Sequence, residues 1–235
     1  MSAMAERIAA IDWQAMAASL NEVSHAVAPL LTAAECTALA TLYDDRECFR
    51  SKVVMARHGY GRGEYKYFAY PLPGLVLEIR TALYPPLARM ANEWERKLNT
   101  GREWPGRHAD LLEICGDAGQ TRPTPLLLKY GAGDYNCLHQ DLYGEIHFPL
   151  QATALLDAPG KDFDGGEFTL VEQRPRRQSR VEVVPLARGD IVIFPVRERP
   201  RDGRRGTYRT QLRHGVSSLR RGMRRTLGII FHDAK

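Results

Sequence analysis

Lysine is scarce in this chain: 6 residues against 27 arginines among 33 basic side chains. Cysteine is scarcer. Cys36, Cys48, Cys115 and Cys137 stand apart with no CxxC pair, which argues against a disulfide framework and reads as reduced thiols in a cytosolic protein. Long apolar runs are missing too. The longest uncharged stretches, Val23 to Ala34 and Ile146 to Leu156, are too short to span a bilayer, so no membrane association is expected. Glu6, Arg7 and Asp12 interrupt the N-terminal region, which is not the pattern of a secretory signal, and a cytoplasmic location is expected. There is no internal repeat and no long linker. A length of 235 residues suits a single domain, 1–235, with a substantial core.

Hydrophobic residues make up 44% and charged residues 26%, ordinary soluble usage that argues against a disordered or fibrous chain. The charge is unevenly placed. Between positions 174 and 225 there are 16 arginines and 4 acids, a local net of +12, and the remainder carries −7. Arginine's planar fork suits phosphate and carboxylate recognition. One reading of this block is a patch for an anionic partner such as nucleic acid. The other is an arginine-rich composition spread over solvated faces, consistent with the low lysine content.

The first half reads mainly helical. Ala5 to Leu20 has helical apolar spacing, and Thr32 with Glu35 forms a capping box ahead of Cys36 to Tyr43. Leu75 to Leu98 is a helix interrupted at Pro85-Pro86, and Ala109 to Cys115 is a short one. Phe49 to Met55 and Tyr65 to Tyr70 are short strands around a turn rich in glycine (Gly59, Gly61, Gly63). The second half changes period. Runs at Pro125–Tyr130, Ile146–Leu156, Glu167–Val171, Arg180–Leu186, Asp190–Val196 and Arg225–Phe231 are short, β-rich and separated by turn signals. The expected fold is α+β, a jelly roll over 121–235 with a helical layer from 1–120 packed on one sheet. Pro200 to Thr207, rich in arginine and glycine, is expected to be a loop.

Two His-x-Asp pairs occur. In His108-Ala109-Asp110 the aspartate reads as a helix-start residue. In His139-Gln140-Asp141 the pair sits between strand-like runs, where residues two apart point to one face. Gln140 then faces away. His214, 75 residues after His139, supplies a third donor. Two histidines and a carboxylate make the facial triad of non-haem Fe(II) oxygenases, which leaves coordination positions open.

Arg224 lies ten residues past His214 on the last strand. The run His139-x-Asp141, distal His214 and Arg224 resembles the 2-oxoglutarate- and Fe(II)-dependent oxygenases, which share a double-stranded β-helix. The resemblance implies Fe(II) on His139, Asp141 and His214, with 2-oxoglutarate and O2 as cosubstrates. It also implies that Arg224 grips the far carboxylate of 2-oxoglutarate, a bidentate pairing its fork suits. Arg225 is the rival, because in a strand only one of the two points inward. Tyr130, followed by Gly131-Ala132-Gly133 and then His139-Gln140-Asp141, resembles the order found in AlkB-type nucleic-acid repair oxygenases, where the tyrosine helps hold 2-oxoglutarate. Tyr135 to Glu145 and Leu227 to Asp233 resemble a bacterial family described as oxygenases for oxidative demethylation of damaged nucleic acid. That likeness implies an alkylated single-stranded nucleic acid as substrate, bound through the 174–225 arginines. The Arg224 spacing instead matches the prolyl-hydroxylase-like branch, which implies a protein side chain or a small molecule. A third reading is a nucleic-acid-binding jelly roll without catalysis. Tyr143 and Glu145 are open between substrate contact and loop capping, with Glu145 a candidate partner for a ligand imidazole. His147 and Cys137 read as packing residues.

Overall fold

The computed structural model describes residues 2–203 and 206–235. Among the described residues, five α-helices, α1 (Ala3–Ala9), α2 (Trp13–Val23), α3 (Ala33–Thr41), α4 (Gly74–Lys97) and α5 (His108–Asp117), accompany fourteen strands. The strands are β1 (Ala26–Pro29), β2 (Phe49–Val54), β3 (Gly61–Arg62), β4 (Glu64–Phe68), β5 (Leu126–Gly131), β6 (Tyr135–His139), β7 (Leu150–Leu155) and β8 (Phe163–Gly165). They continue with β9 (Phe168–Gln173), β10 (Arg180–Val184), β11 (Asp190–Pro195), β12 (Glu198–Gly203), β13 (Gly206–Val216) and β14 (Leu219–Ile229). An eight-stranded sheet runs β1-β11-β7-β14-β5-β4-β2, with β8 also on β14, and a six-stranded sheet runs β10-β9-β13-β6-β3, with β12 also on β13. The fold is α+β, a double-stranded β-helix with helices on the outer face of the larger sheet.

Period-two alternation sorts the larger sheet into two faces. Leu127, Ala152, Ala154, Ile191, Ile193, Leu227 and Ile229 pack against Leu20, Leu39, Leu83 and Leu87 of the helices. The residues between them, Val192 and Phe194 on β11, pack on Phe168 and Leu170 of the smaller sheet. Both faces of the large sheet are therefore buried, and each large apolar side chain so placed contributes about 1.5–3 kcal/mol. The same alternation aims Tyr130, Thr226 and Arg224 inward, into the space between the sheets.

The Thr32–Glu35 capping box forms, with the Thr32 hydroxyl accepting from Glu35 N at 3.3 Å and Glu35 accepting from Thr32 N at 2.8 Å. The sequence reading needs correcting in three places. First, α4 runs unbroken through Pro85 and Pro86 for 24 residues. An interior proline costs about 3 kcal/mol or more through its missing N–H and ring clash. Here Val76, Ile79, Leu83, Leu87, Ala91 and Trp94 are buried along one face, and that packing outweighs the loss. Exposed Thr81, which loses its bond to position 85, can give its carbonyl to water. Second, positions 200–203 and 206–207 are not loop but the arms of a hairpin, with Pro200 paired to Arg209 and Asp202 to Thr207; Arg204 and Arg205 lie outside the described residues. Third, β2 and β4 fall on the expected strands Phe49–Met55 and Tyr65–Tyr70, but β1, on the large sheet, and β3, on the small one, are strands of the mainly helical first 120 residues that the sequence reading did not place.

Candidate metal centre and its pocket

His139 closes β6 and His214 lies near the end of β13, and the two are directly cross-strand in the antiparallel register. Opposed residues of neighbouring strands share a face, which puts the rings 4.2 Å apart, centroid to centroid. Asp141, two residues beyond His139, turns its carboxylate between them: Oδ2 lies 3.3 Å from His214 Nε2 and Oδ1 3.6 Å from His139 Nε2. One donor atom from each of the three lies within 4.8 Å of the others.

The protonation pattern fits a metal. His139 Nδ1 lies 2.8 Å from the Cys137 carbonyl; a carbonyl can only accept, so Nδ1 donates there and Nε2 is the nitrogen turned toward Asp141. Burial, then the neighbouring His139, lowers the pKa of His214, which keeps that imidazole neutral. Burial pushes the Asp141 carboxyl up, but His214, His139 and the Tyr143 hydroxyl together outweigh it and hold the group below the ordinary carboxylate range. Two imidazoles and one carboxylate suit a divalent first-row transition ion. Phe168 and Phe194 pack on His214, with centroids at 6.0 and 4.8 Å, and shield it from water.

The ligands open onto a cavity of about 480 Å³ between the sheets. Its opposite wall comes from β5 and β14, where Arg224 pairs in register with Tyr130. Arg224 is 2% exposed, and its Nη1 is buried with no hydrogen-bond partner among the described residues. Two aromatic faces lie near its guanidinium, Tyr130 at 5.7 Å and Phe163 at 6.0 Å to the ring centroids. Arg225 points to the other side and pairs with Asp157 at 2.6 Å. The alternation thus settles which arginine faces the pocket.

Gln140 faces away from the ligands as expected, donating to the Leu212 carbonyl at 2.7 Å. His108 is a core histidine, 2.8 Å from the Phe231 carbonyl. Glu145 touches neither ligand imidazole; it is exposed and pairs with Lys235 at 3.2 Å. Cys137 lines the pocket instead of packing in the core. Tyr143 is the residue that supports a ligand, donating to Asp141 Oδ1 at 2.7 Å while Tyr67 donates to Tyr143 at 3.0 Å. Sequence reasoning missed Tyr67 and also Gln151, a buried pocket residue whose Nε2 lacks a partner among the described residues. The one available signal was a lone amide inside an otherwise apolar strand, Leu150-Gln151-Ala152.

Part of the arginine block is paired with carboxylates on neighbouring strands. Glu172 accepts from Arg174, Arg199 and Arg201. Arg209, Arg220 and Arg221 pair with Glu198, Glu167 and Asp164. Of the described residues of this block, only Arg224 lines the pocket.

Comparison with known proteins agrees with this geometry. The family model Oxygenase-NA, described as "Oxygenase, catalysing oxidative methylation of damaged DNA", matches residues 63–234. Uncharacterised proteins from two strains of Mycobacterium tuberculosis, CDC 1551 and H37Rv, are each 48% identical over 167 residues, 71% of this chain and 72% of theirs. Among solved structures, a Burkholderia pseudomallei oxidoreductase of the 2OG-Fe(II) oxygenase family aligns with TM-score 0.55 at 17% identity, covering 96% of this chain and 93% of that one. A Pseudomonas putida prolyl-4-hydroxylase aligns with TM-score 0.53 at 15% identity over 92% and 96% of the two chains. A Trichoplax adhaerens prolyl hydroxylase, in complex with a hypoxia inducible factor peptide fragment, aligns with TM-score 0.53 at 14% identity over 94% and 89%. The chain belongs to the Oxygenase-NA family: it is an oxygenase with the fold seen in a solved 2OG-Fe(II) oxygenase-family structure, and it carries a His-Asp-His donor set suited to a divalent transition ion.

Proposed function

We propose that the protein oxidises an N-alkyl group on a base of single-stranded nucleic acid, using Fe(II), 2-oxoglutarate and O2. The observation that carries the oxygenase site is Arg224, a buried cation with no ion-pair partner among the described residues, facing a His-Asp-His cluster across one cavity. A buried guanidinium left unpaired is costly, and a carboxylate entering the pocket relieves that cost. His139, Asp141 and His214 would hold Fe(II); when bound, the metal supplies the coupled oxidation of 2-oxoglutarate to succinate and CO2 and of a substrate C–H bond to C–OH. Arg224 binds and orients the cosubstrate's far carboxylate, with the Tyr130 hydroxyl beside it. Tyr143 fixes the Asp141 carboxylate, and Phe168 and Phe194 exclude water around His214. Oxidation of an N-methyl group in this way gives a hydroxymethyl that leaves as formaldehyde. The Oxygenase-NA description supports the nucleic-acid substrate.

Hydroxylation of a protein side chain is the second reading, favoured by the ten-residue spacing from His214 to Arg224. Succinate release distinguishes the two. Purified protein with Fe(II) and 2-oxoglutarate is given oxygen, with and without a methylated single-stranded oligonucleotide. Stimulation by the oligonucleotide, with formaldehyde released in step, is the expected result. Stimulation by a peptide without formaldehyde moves the substrate to protein. His214→Ala is expected to abolish metal binding and turnover together; a variant with normal turnover overturns the site.

A further inference from the structure

The pocket mouth carries a feature that the metal chemistry does not use. Between β2 and β4 the chain makes a tight excursion, Met55 to Gly63, closed by hydrogen bonds from Met55 N to the Gly63 carbonyl and from Tyr60 N to the Met55 carbonyl. Met55 is fully buried and anchors it. The excursion is pinned to the strand that carries His139. Gly61 pairs with Asn136, and the Tyr60 carbonyl accepts from Cys137 N at 2.9 Å. Gly61 sits at φ +122°, and a Cβ there would lie 2.4 Å from the Tyr135 carbonyl oxygen, so only glycine permits this approach.

The pinning presents Tyr60 to solvent. Its ring is 50% exposed, lines the pocket mouth and stacks on His58 at 5.3 Å between centroids and 22° between planes. Leu138 and Leu142, both exposed, form other parts of the rim. Arg57 and Arg62 lie three residues before and two residues after the tyrosine in the chain; both are exposed, and neither forms an ion pair among the described residues. A pinned aromatic platform on a segment with two free guanidiniums suits one chemistry. A flat base stacks on the ring while backbone phosphates meet the cations, whatever the base identity. In the 174–225 block Arg176, Arg177, Arg197 and Arg213 are also exposed without an ion pair among the described residues, but none of them lines the pocket.

We propose that His58 and Tyr60, with Arg57 and Arg62, form the docking surface for single-stranded nucleic acid, stacking a base at the pocket mouth. This rests on the nucleic-acid reading of the pocket and moves the contact from the arginine block to the 55–63 excursion.

The test is fluorescence anisotropy with a labelled single-stranded oligonucleotide at several salt concentrations, on the full chain. Tyr60→Ala is expected to weaken binding by about tenfold, as loss of one stacked base does. Tyr60→Phe, which keeps the ring, is expected to bind like the parent. Arg57→Ala with Arg62→Ala is expected to weaken binding and to lower the salt slope by roughly 1.4, two phosphates on a single strand. Arg176→Ala with Arg177→Ala, at the exposed turn between β9 and β10, is expected to bind like the parent. Normal binding by the Tyr60 and Arg57/Arg62 variants, with loss in the Arg176/Arg177 variant, overturns the surface and leaves the nucleic-acid reading standing. Absence of oligonucleotide binding by the parent chain, with peptide-stimulated succinate release, overturns both.

Discussion

Three arginines are buried among the described residues, and they are not alike. Arg80 donates to Asp233 at 2.7 Å, to the Ile230 and Phe231 carbonyls at 2.9 and 3.0 Å, and to the Tyr70 hydroxyl at 2.9 Å. It ties α4 to the C-terminal segment. Arg199 donates to Glu172 and to the Asn21 carbonyl, both at 2.8 Å, and to the Ser24 hydroxyl at 2.7 Å. It ties the end of α2 to the smaller sheet. Arg224 is as deeply buried, yet it faces a cavity with aromatic rings for neighbours and an orphaned Nη1. Burial, the dominant influence, lowers the pKa of Arg199 and of Arg224 alike, but Arg199 is offset by Glu172 in contact, whereas Arg224 has only more distant acids. A charge placed in the interior at a cost, with its counter-charge left out, marks a binding group; a charge whose donors are filled marks a structural one.

The sharpest way to separate the two kinds is the same substitution at both. Arg224→Met is expected to weaken 2-oxoglutarate binding by about 100-fold or more, the loss typical of a buried charged contact. Its urea midpoint is expected to stay level or rise, because an uncompensated charge has been removed. Arg199→Met is expected to do the reverse: 2-oxoglutarate affinity unchanged, stability lower by about 1–3 kcal/mol, because Ser24 and the Asn21 carbonyl lose their buried donor while Glu172 keeps Arg174 and Arg201. Titration calorimetry and urea denaturation on both variants read the contrast. Equal destabilisation at both sites would erase it.

Asp233→Ala extends the comparison to Arg80. It strands a guanidinium that is fully buried and is expected to cost about 3–5 kcal/mol by urea denaturation. A loss under 1 kcal/mol would mean that the carbonyls alone satisfy Arg80.

Acid sensitivity gives a smaller effect with a definite sign. Burial raises the Glu172 carboxyl, but Arg174, Arg199, Ser24 and Arg201 outweigh it and hold its pKa below the ordinary 4.5. The unfolded chain therefore takes up this proton at a higher pH than the folded one. The ion cluster contributes fully above the ordinary carboxylate range, and its contribution is lost as pH falls toward the depressed folded value. Urea midpoints measured from pH 6 downward are expected to fall more steeply for the parent than for Glu172→Gln. Parallel slopes would remove Glu172 as the acid-sensitive element.

The triad, the inward arginine and the jelly roll were legible because they depend on local rules: spacing of two in a strand, and short β runs between turns. His139 and Asp141 share a face by that rule, and Gln140 falls opposite. What stayed hidden depends on which strands pair. The sequence shows 16 arginines between 174 and 225, but only the register places Asp164 beside Arg221 or Glu172 beside Arg199 and Arg201. Tyr67 reaches Tyr143, and through it Asp141, from 76 residues away, a contact no spacing encodes. The Pro85-Pro86 pair misled for the same reason: its local cost is real, and the packing that overrides it is tertiary.

The smallest expected effect tests whether Arg224 acts alone. Tyr130 is fully buried and pairs with Arg224 across β5 and β14. Burial raises its phenol pKa, despite the nearby guanidinium, so the hydroxyl keeps its proton at neutral pH. Asn136 Nδ2 donates to that oxygen at 3.3 Å, which leaves the phenolic hydrogen free to donate into the pocket. Tyr130→Phe removes that donor and keeps the ring under Arg224. It is expected to weaken 2-oxoglutarate binding about fivefold, one neutral donor's worth of roughly 1 kcal/mol, with little change in urea midpoint. An unchanged affinity would make Tyr130 a packing residue and leave the carboxylate to Arg224. A loss as large as that of Arg224→Met would mean that the two side chains bind as one unit, with the ring and hydroxyl of Tyr130 setting the guanidinium's position.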